Sequence, residues 1–108
     1  MTAAIKIPKR RSVYVIYNEE RNRSKIGMSV DPTQRLRNLQ TGNDAALSLP
    51  YYLEMDADLA PRVEKRARRI GEEAGKNRTR EWLANTSPSE AQSYVQRAYE
   101  IERGRNRI

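Results

Sequence analysis

The chain has 108 residues with no cysteine and no histidine, which excludes disulfides, thiolate zinc sites and every Ser-His or Cys-His nucleophilic pair, so any catalysis must draw on Tyr, Lys, Arg, Asp or Glu. Lys and Arg number 21 against 14 Asp and Glu, a formal charge of +7; this favours a polyanionic partner through counterion release, with a merely soluble basic surface as the plainer alternative. No apolar run approaches the ~20 residues of a membrane span, so a cytoplasmic protein with no membrane partner is expected.

Residues 1–11 are basic and lack the apolar stretch and cleavage site of a signal peptide, and they read as a flexible arm. Ser12 to Tyr17 is β-branched and aromatic and predicts a strand. A polar turn over 18–24 leads to a second strand over 25–29, so the two form a hairpin. Asp31-Pro32 is a helix start, Asp as cap and Pro at the first helical position. That helix runs to Gln40, buries Leu36 and Leu39, and stops at Thr41-Gly42-Asn43. A third strand is expected over Tyr51 to Asp56.

Leu59, Val63, Ala67, Ile70 and Ala74 recur at spacings of four and three and predict the buried stripe of a second helix over 58–74. Gly71 weakens this helix and Gly75 ends it. A basic loop over 76–80 precedes the short extended segment Glu81-Trp82-Leu83. Ser87-Pro88-Ser89-Glu90 is a capping box, and the third helix places Ala91, Tyr94, Val95, Ala98 and Ile101 on one face. The order implies an α+β fold: a small central antiparallel sheet flanked by helices, with an additional C-terminal helix. Residues 12–103 read as a single domain, with a motif core at 12–83 and the last helix at 88–103; 104–108 form a basic tail.

Several residues in order carry a resemblance. Val13-Tyr14 in the first strand is followed by Lys25-Ile26-Gly27, Asp31-Pro32, Arg35-Leu36, Leu39-Gln40-Thr41-Gly42-Asn43 and Glu81-Trp82-Leu83. The set resembles the GIY-YIG nuclease superfamily, and within it the T5orf172/MUG113-like branch of phage and fungal proteins. Ser12 stands where the first motif has glycine, and Lys25 where the second has tyrosine. The resemblance implies a DNA endonuclease, of phage or prophage character, that hydrolyses phosphodiester bonds with one divalent ion, Mg²⁺ or Mn²⁺. It matches Tyr14, Lys25 and Arg35 to the catalytic positions, Gly27 to the motif glycine, and Glu64 to the metal ligand, with Glu81 as the fallback.

The residue types suit that chemistry. Hydrolysis needs an activated water, a cation on the developing phosphorane charge, and help for the leaving oxygen. A tyrosinate can serve as base if Lys25 and Arg35 lower its pKa. Arg35 can grip phosphate oxygens bidentately. A lone Glu64 suffices for a magnesium ion that keeps its waters.

Each residue also has a plain reading. Tyr14 is an ordinary strand residue, Lys25 a solvated strand end, Arg35 one exposed helix arginine among several, and Glu64 the i,i+4 partner of Arg68. Trp82 is assigned to the core in preference to a base-stacking platform. Arg37, Lys65, Arg66, Arg69, Arg78 and Arg80 are the candidate contacts to DNA backbone phosphates; a helix bearing Arg62, Lys65, Arg66, Arg68 and Arg69 is otherwise a solvated face. Two other functions fit the same charge: a nuclease-like module that binds DNA without cutting it, and a basic RNA-associated interaction protein. No specificity domain is visible, so any sequence recognition is expected to come from this domain or from a partner protein.

Overall fold

The computed structural model describes residues 9–105. Eight elements follow one another: β1 (Arg10–Asn18), β2 (Arg23–Ser29), α1 (Pro32–Thr41), β3 (Leu47–Asp56), α2 (Ala60–Glu73), β4 (Arg78–Thr79), β5 (Trp82–Ala84) and α3 (Pro88–Arg105). The strands form one antiparallel sheet in the order β3-β1-β2-β5-β4. The α+β architecture is therefore as expected, and the sheet gains β4 from a stretch expected to be a loop.

The strands are longer than the sequence pattern suggests. Arg10 and Arg11, assigned to the flexible arm, pair with Asp56 and Met55 of β3, and Gly104 and Arg105 belong to α3 instead of a tail. The remainder of both predicted segments, 1–8 and 106–108, lies outside the described residues. β3 begins at Leu47 and includes Pro50. The proline is tolerated because β3 is an edge strand and the ladder slips between Val15 and Tyr17, where Leu49 and Pro50 together oppose Ile16.

Alternation along β1 and β2 sorts their side chains onto two faces. Val13, Val15 and Ile26, with Leu83 of β5, face α2 and α3 and form the main core with Val63, Ala67, Ala91, Val95 and Ala98. Fully burying each Val, Ile or Leu contributes about 1.5–3 kcal/mol. The alanines bring the two helix backbones close to each other and to the sheet.

Tyr14, Ile16, Lys25 and Gly27 share the opposite face by register, and α1 lies there across β1, β2 and β3. Gln40 secures the loop after α1: its amide donates to the carbonyls of Asn43 (3.1 Å) and Ala45 (2.9 Å), and its oxygen accepts from Leu47 N–H (2.7 Å).

Three helix expectations need correction. Leu36 and Leu39 are only half-buried, and Pro32 is the buried residue of α1. Ala74 is exposed because α2 ends at Glu73. There Gly75, with φ of 90°, closes a Schellman motif in which Lys76 N–H reaches the Gly71 carbonyl (3.0 Å) and Gly75 N–H that of Glu72 (3.0 Å). Ile101 is 37% exposed, and the buried stripe of α3 continues instead through Glu102. Spacings of four, three and four from Ala91 through Val95 and Ala98 lead to position 102.

Gly71 is a packing requirement. A Cβ there would lie 2.6 Å from Leu83 Cδ1 and 3.3 Å from the Tyr94 ring. The capping box is formed as read, with Ser87 N–H on Glu90 (3.0 Å) and Glu90 N–H on Ser87 Oγ (3.2 Å).

Candidate active site

The ladder between β2 and β5 covers only Arg23 to Lys25. Beyond Lys25 the ladder ends, and Ile26 meets other partners. Ile26 N–H donates to the Glu81 carbonyl (3.1 Å), and the Ile26 carbonyl accepts from Arg68 Nη1 (3.3 Å). Side chains from both faces of the sheet converge around this edge.

Tyr14 is 1% exposed and sits opposite Gly27 on the neighbouring strand. A Cβ on Gly27 would lie 2.4 Å from the Tyr14 hydroxyl and 2.6 Å from Cζ. The motif glycine therefore provides the space in which the phenol lies. Arg35 reaches the same hydroxyl from the first turn of α1 and hydrogen-bonds to it. That turn is fixed by Asp31, whose side chain caps Gln34 N–H (3.1 Å) and whose N–H donates to Ser29 Oγ (3.0 Å).

Burial pushes the Tyr14 hydroxyl above the ordinary tyrosine value; Arg35 pulls it down, while the charges of Glu81 and Glu64 push it further up. The Tyr14 contact in turn raises Arg35. Lys25 does not take the tuning role expected of it. Its buried ammonium forms an ion pair with Glu81 instead. Burial resists the charge on Glu81, but Lys25, with Arg68 and Arg35, outweighs it and holds the carboxyl below the usual range.

Glu64 and Arg68 stand one helical turn apart on α2 and form an ion pair at the β2 edge. Although α1 and α2 lie on opposite faces of the sheet, Arg35, Glu64 and Glu81 all act on the one phenol. Tyr14, Lys25, Arg35, Glu64, Arg68 and Glu81 thus form one connected network.

As a cation site this network offers little protein ligation. Among the described residues no group of three or more His, Cys, Asp or Glu could hold a metal. A protein-built cage is therefore not available there, whereas an ion of the magnesium type, which keeps several waters, needs only one or two carboxylates. The buried Glu64 carboxylate meets that minimum.

The predicted phosphate contacts divide into groups. Lys65, Arg69 and Arg78 line one concavity of about 220 Å³ with Arg68 and Glu72, adjoining the site through Arg68. Arg66 turns away to pair with Glu102. Arg37 is exposed on α1, and Arg80 is exposed at φ 56° between β4 and β5. Arg78 is held by Glu72 (2.8 Å) and donates to the Arg80 carbonyl (2.6 Å).

Trp82, assigned to the core, is only half-buried. The Arg23 guanidinium lies 4.7 Å from its ring centre and the Lys25 ammonium 5.9 Å.

Two residues of this region were not among the sequence candidates for the site. Arg68 was read as the salt-bridge partner of Glu64 and as one of the basic residues of its helix, although its position four residues along from Glu64 already placed it on the same face. Tyr52, 55% exposed, is the direct cross-strand neighbour of Tyr14 on β3; only the strand register reveals it.

Among the described residues no helix is long and apolar enough to cross a membrane. Comparison with known proteins finds one match: the profile of the T5orf172 domain family, over residues 11–103. No curated protein and no solved structure matches the chain.

Proposed function

Because the chain belongs to the T5orf172 domain family, a family of nuclease-like domains, we propose that it is a metal-dependent DNA endonuclease of the GIY-YIG type. The observation that carries this reading is the Tyr14 hydroxyl, buried, hydrogen-bonded by Arg35 and within the field of Glu64 and Glu81. A buried phenol paired with a guanidinium is an unneeded expense for a core and a useful pair at a phosphate: one group to take a proton, one to carry the charge.

In this reading Arg35 grips the non-bridging oxygens of the scissile phosphate and stabilises the charge that builds on them. Tyr14, as its phenolate, orients the attacking water and takes its proton as the new bond to phosphorus forms and the bond to the leaving oxygen breaks. Glu64 would hold one Mg²⁺ or Mn²⁺ ion, completed by water and substrate phosphate, with Arg68 moving off the carboxylate. Such an ion supplies Lewis-acid neutralisation of the phosphorane and the leaving oxygen. Lys25 and Glu81 act as a pair that fixes the β2–β5 junction beside the phenol. Lys65, Arg69 and Arg78 contact backbone phosphates next to the site, and Arg37 and Arg80 contact them further out.

The test is nicking of supercoiled plasmid with Mg²⁺ or Mn²⁺. Wild type is expected to cut, and Arg35→Gln, Tyr14→Phe and Glu64→Gln each to lose at least about 100-fold, the scale of a lost transition-state contact, while still binding DNA. Wild type that leaves the plasmid intact with every divalent ion sinks the enzyme.

One observation favours a second reading. Glu64 and Glu81 each already have a cationic side chain as partner, which is how a nuclease-like module that binds DNA without cutting it would keep its carboxylates neutralised. Salt-sensitive binding without cleavage in any metal is its signature.

A further inference from the structure

Most of the charge on α2 lies outside the site. About 100° separates successive residues of a helix, so Arg68, Lys65, Arg69, Arg62 and Arg66 follow one another around α2 over an arc of about 160°. The arc starts at the site and ends against α3.

Two concavities share it. The one beside the site contains Lys65, Arg68, Arg69 and Arg78. The other, also about 220 Å³, lies between α2 and α3 and is lined by Arg62, Lys65, Arg66, Arg69, Glu102 and Arg105. Lys65 and Arg69 line both, and neither forms an ion pair among the described residues.

Glu102 explains how the second concavity holds together. It is 3% exposed. Burial opposes its charge, yet Arg66, Arg105 and Arg62 hold its pKa below the ordinary carboxylate range. Arg66 pairs with it directly, Arg105 lies 3.5 Å away and Arg62 3.9 Å. One carboxylate has too few lone pairs for the N–H donors of three guanidiniums. It holds cations of α2 and α3 side by side against their repulsion, and Arg66 and Arg105 keep donors that it does not accept.

We propose that this concavity is a second backbone-phosphate subsite, and that a nucleic-acid strand runs from the scissile position around the outer face of α2 to the Arg62–Arg66–Arg105 pocket. The inference takes the identity of its polyanion from the phosphodiester reading but does not depend on cleavage. For a helix about 11 Å across, the arc measures about 15 Å, further than one phosphate-to-phosphate step along a strand. A strand that engages both the site and the pocket must therefore span several phosphates, and a long strand gains from the pocket what a short one cannot.

The experiment is fluorescence anisotropy in EDTA with dye-labelled single-stranded DNA of 4 and 16 nucleotides, across a salt series. The proteins are wild type, Arg62→Gln/Arg105→Gln, and Arg69→Gln, whose exposed side chain lies outside the Glu102 network and is safe for folding. For the 16-mer, the slope of log K against log salt is expected to fall by about 0.7 per lost contact. The double variant should lose more of the slope for the 16-mer than for the 4-mer. A 16-mer slope unchanged in the double variant overturns the subsite, as does an equal loss for both lengths. Plasmid nicking that depends on Glu64, with unchanged 16-mer slopes, refutes the track and spares the nuclease. 16-mer binding that depends on Arg62 and Arg105, by a wild type that never nicks, refutes the nuclease and supports the track.

Discussion

Tyr14 holds its proton more tightly than a free tyrosine, because burial outweighs the Arg35 guanidinium. With a pKa above the ordinary tyrosine value, Tyr14 is the neutral phenol at pH 7. If the phenolate is the base, log kcat/KM should climb with a slope near one between pH 7 and 9 and should not level off there. Arg35→Gln removes the one group that lowers the pKa, so the rise should move to still higher pH. A pH–rate profile decides this, and a wild-type plateau by pH 8 rules the phenolate out. Which residues meet around the phenol was partly legible from sequence: Tyr14, Arg35, Glu64 and Glu81 were all named. The partner of Lys25 was not, because the choice between Tyr14 and Glu81 depends on how the β2–β5 ladder ends, a contact across 56 positions. The Gly27 requirement likewise comes from a ring on the neighbouring strand.

Gly71 shows the same dependence for a whole helix. By propensity alone, Gly71→Ala would stabilise α2 by about 1 kcal/mol. The Cβ would meet Leu83 at 2.6 Å with the Tyr94 ring on its other flank, and overpacking costs about 1–3 kcal/mol. The clash should win: thermal or urea denaturation is expected to show the variant less stable than wild type by about 1 kcal/mol, and a stabilised variant refutes the packing argument. The caps at Asp31, Gly75 and Ser87 were readable because they depend on residues within four positions. The start of β3 was not, since Pro50 argues against a strand until its edge position and the slip opposite Ile16 are known. Ile101 and Glu102 exchanged places for a related reason. Apolarity favours Ile101 inside, but the stripe set by Ala91, Val95 and Ala98 presents position 102, and α2 supplies the arginines that let a carboxylate stay there.

Across the whole molecule, three carboxylates tie distant elements together. Glu81 links β5 to β2, Glu102 links α3 to α2, and Glu90 links α3 to Lys76 after α2. Burial works against the charge on Glu81 and Glu102 but their cations outweigh it, and the Lys76 contact lowers Glu90. A carboxyl whose folded pKa lies below its unfolded value near 4.3 stabilises the fold above that pH, and the gain is lost as pH falls through the folded values. The melting temperature followed by circular dichroism should therefore hold steady from pH 7 to 5 and fall below about pH 4.3. Glu102→Gln should remove part of that fall, and a wild-type melting temperature unchanged down to pH 3 contradicts the linkage. The amino-acid sequence alone determined the α+β class, the order of the principal elements, the helix caps and the basic character, because these follow from local periodicity, capping residues and composition. Only the tertiary structure decided which charges pair, which glycines are required by a neighbour, and how the arginines of α2 divide between the Tyr14 site and the Glu102 pocket. Those outcomes depend on side chains brought together by strand register and helix packing, and no local pattern encodes that proximity.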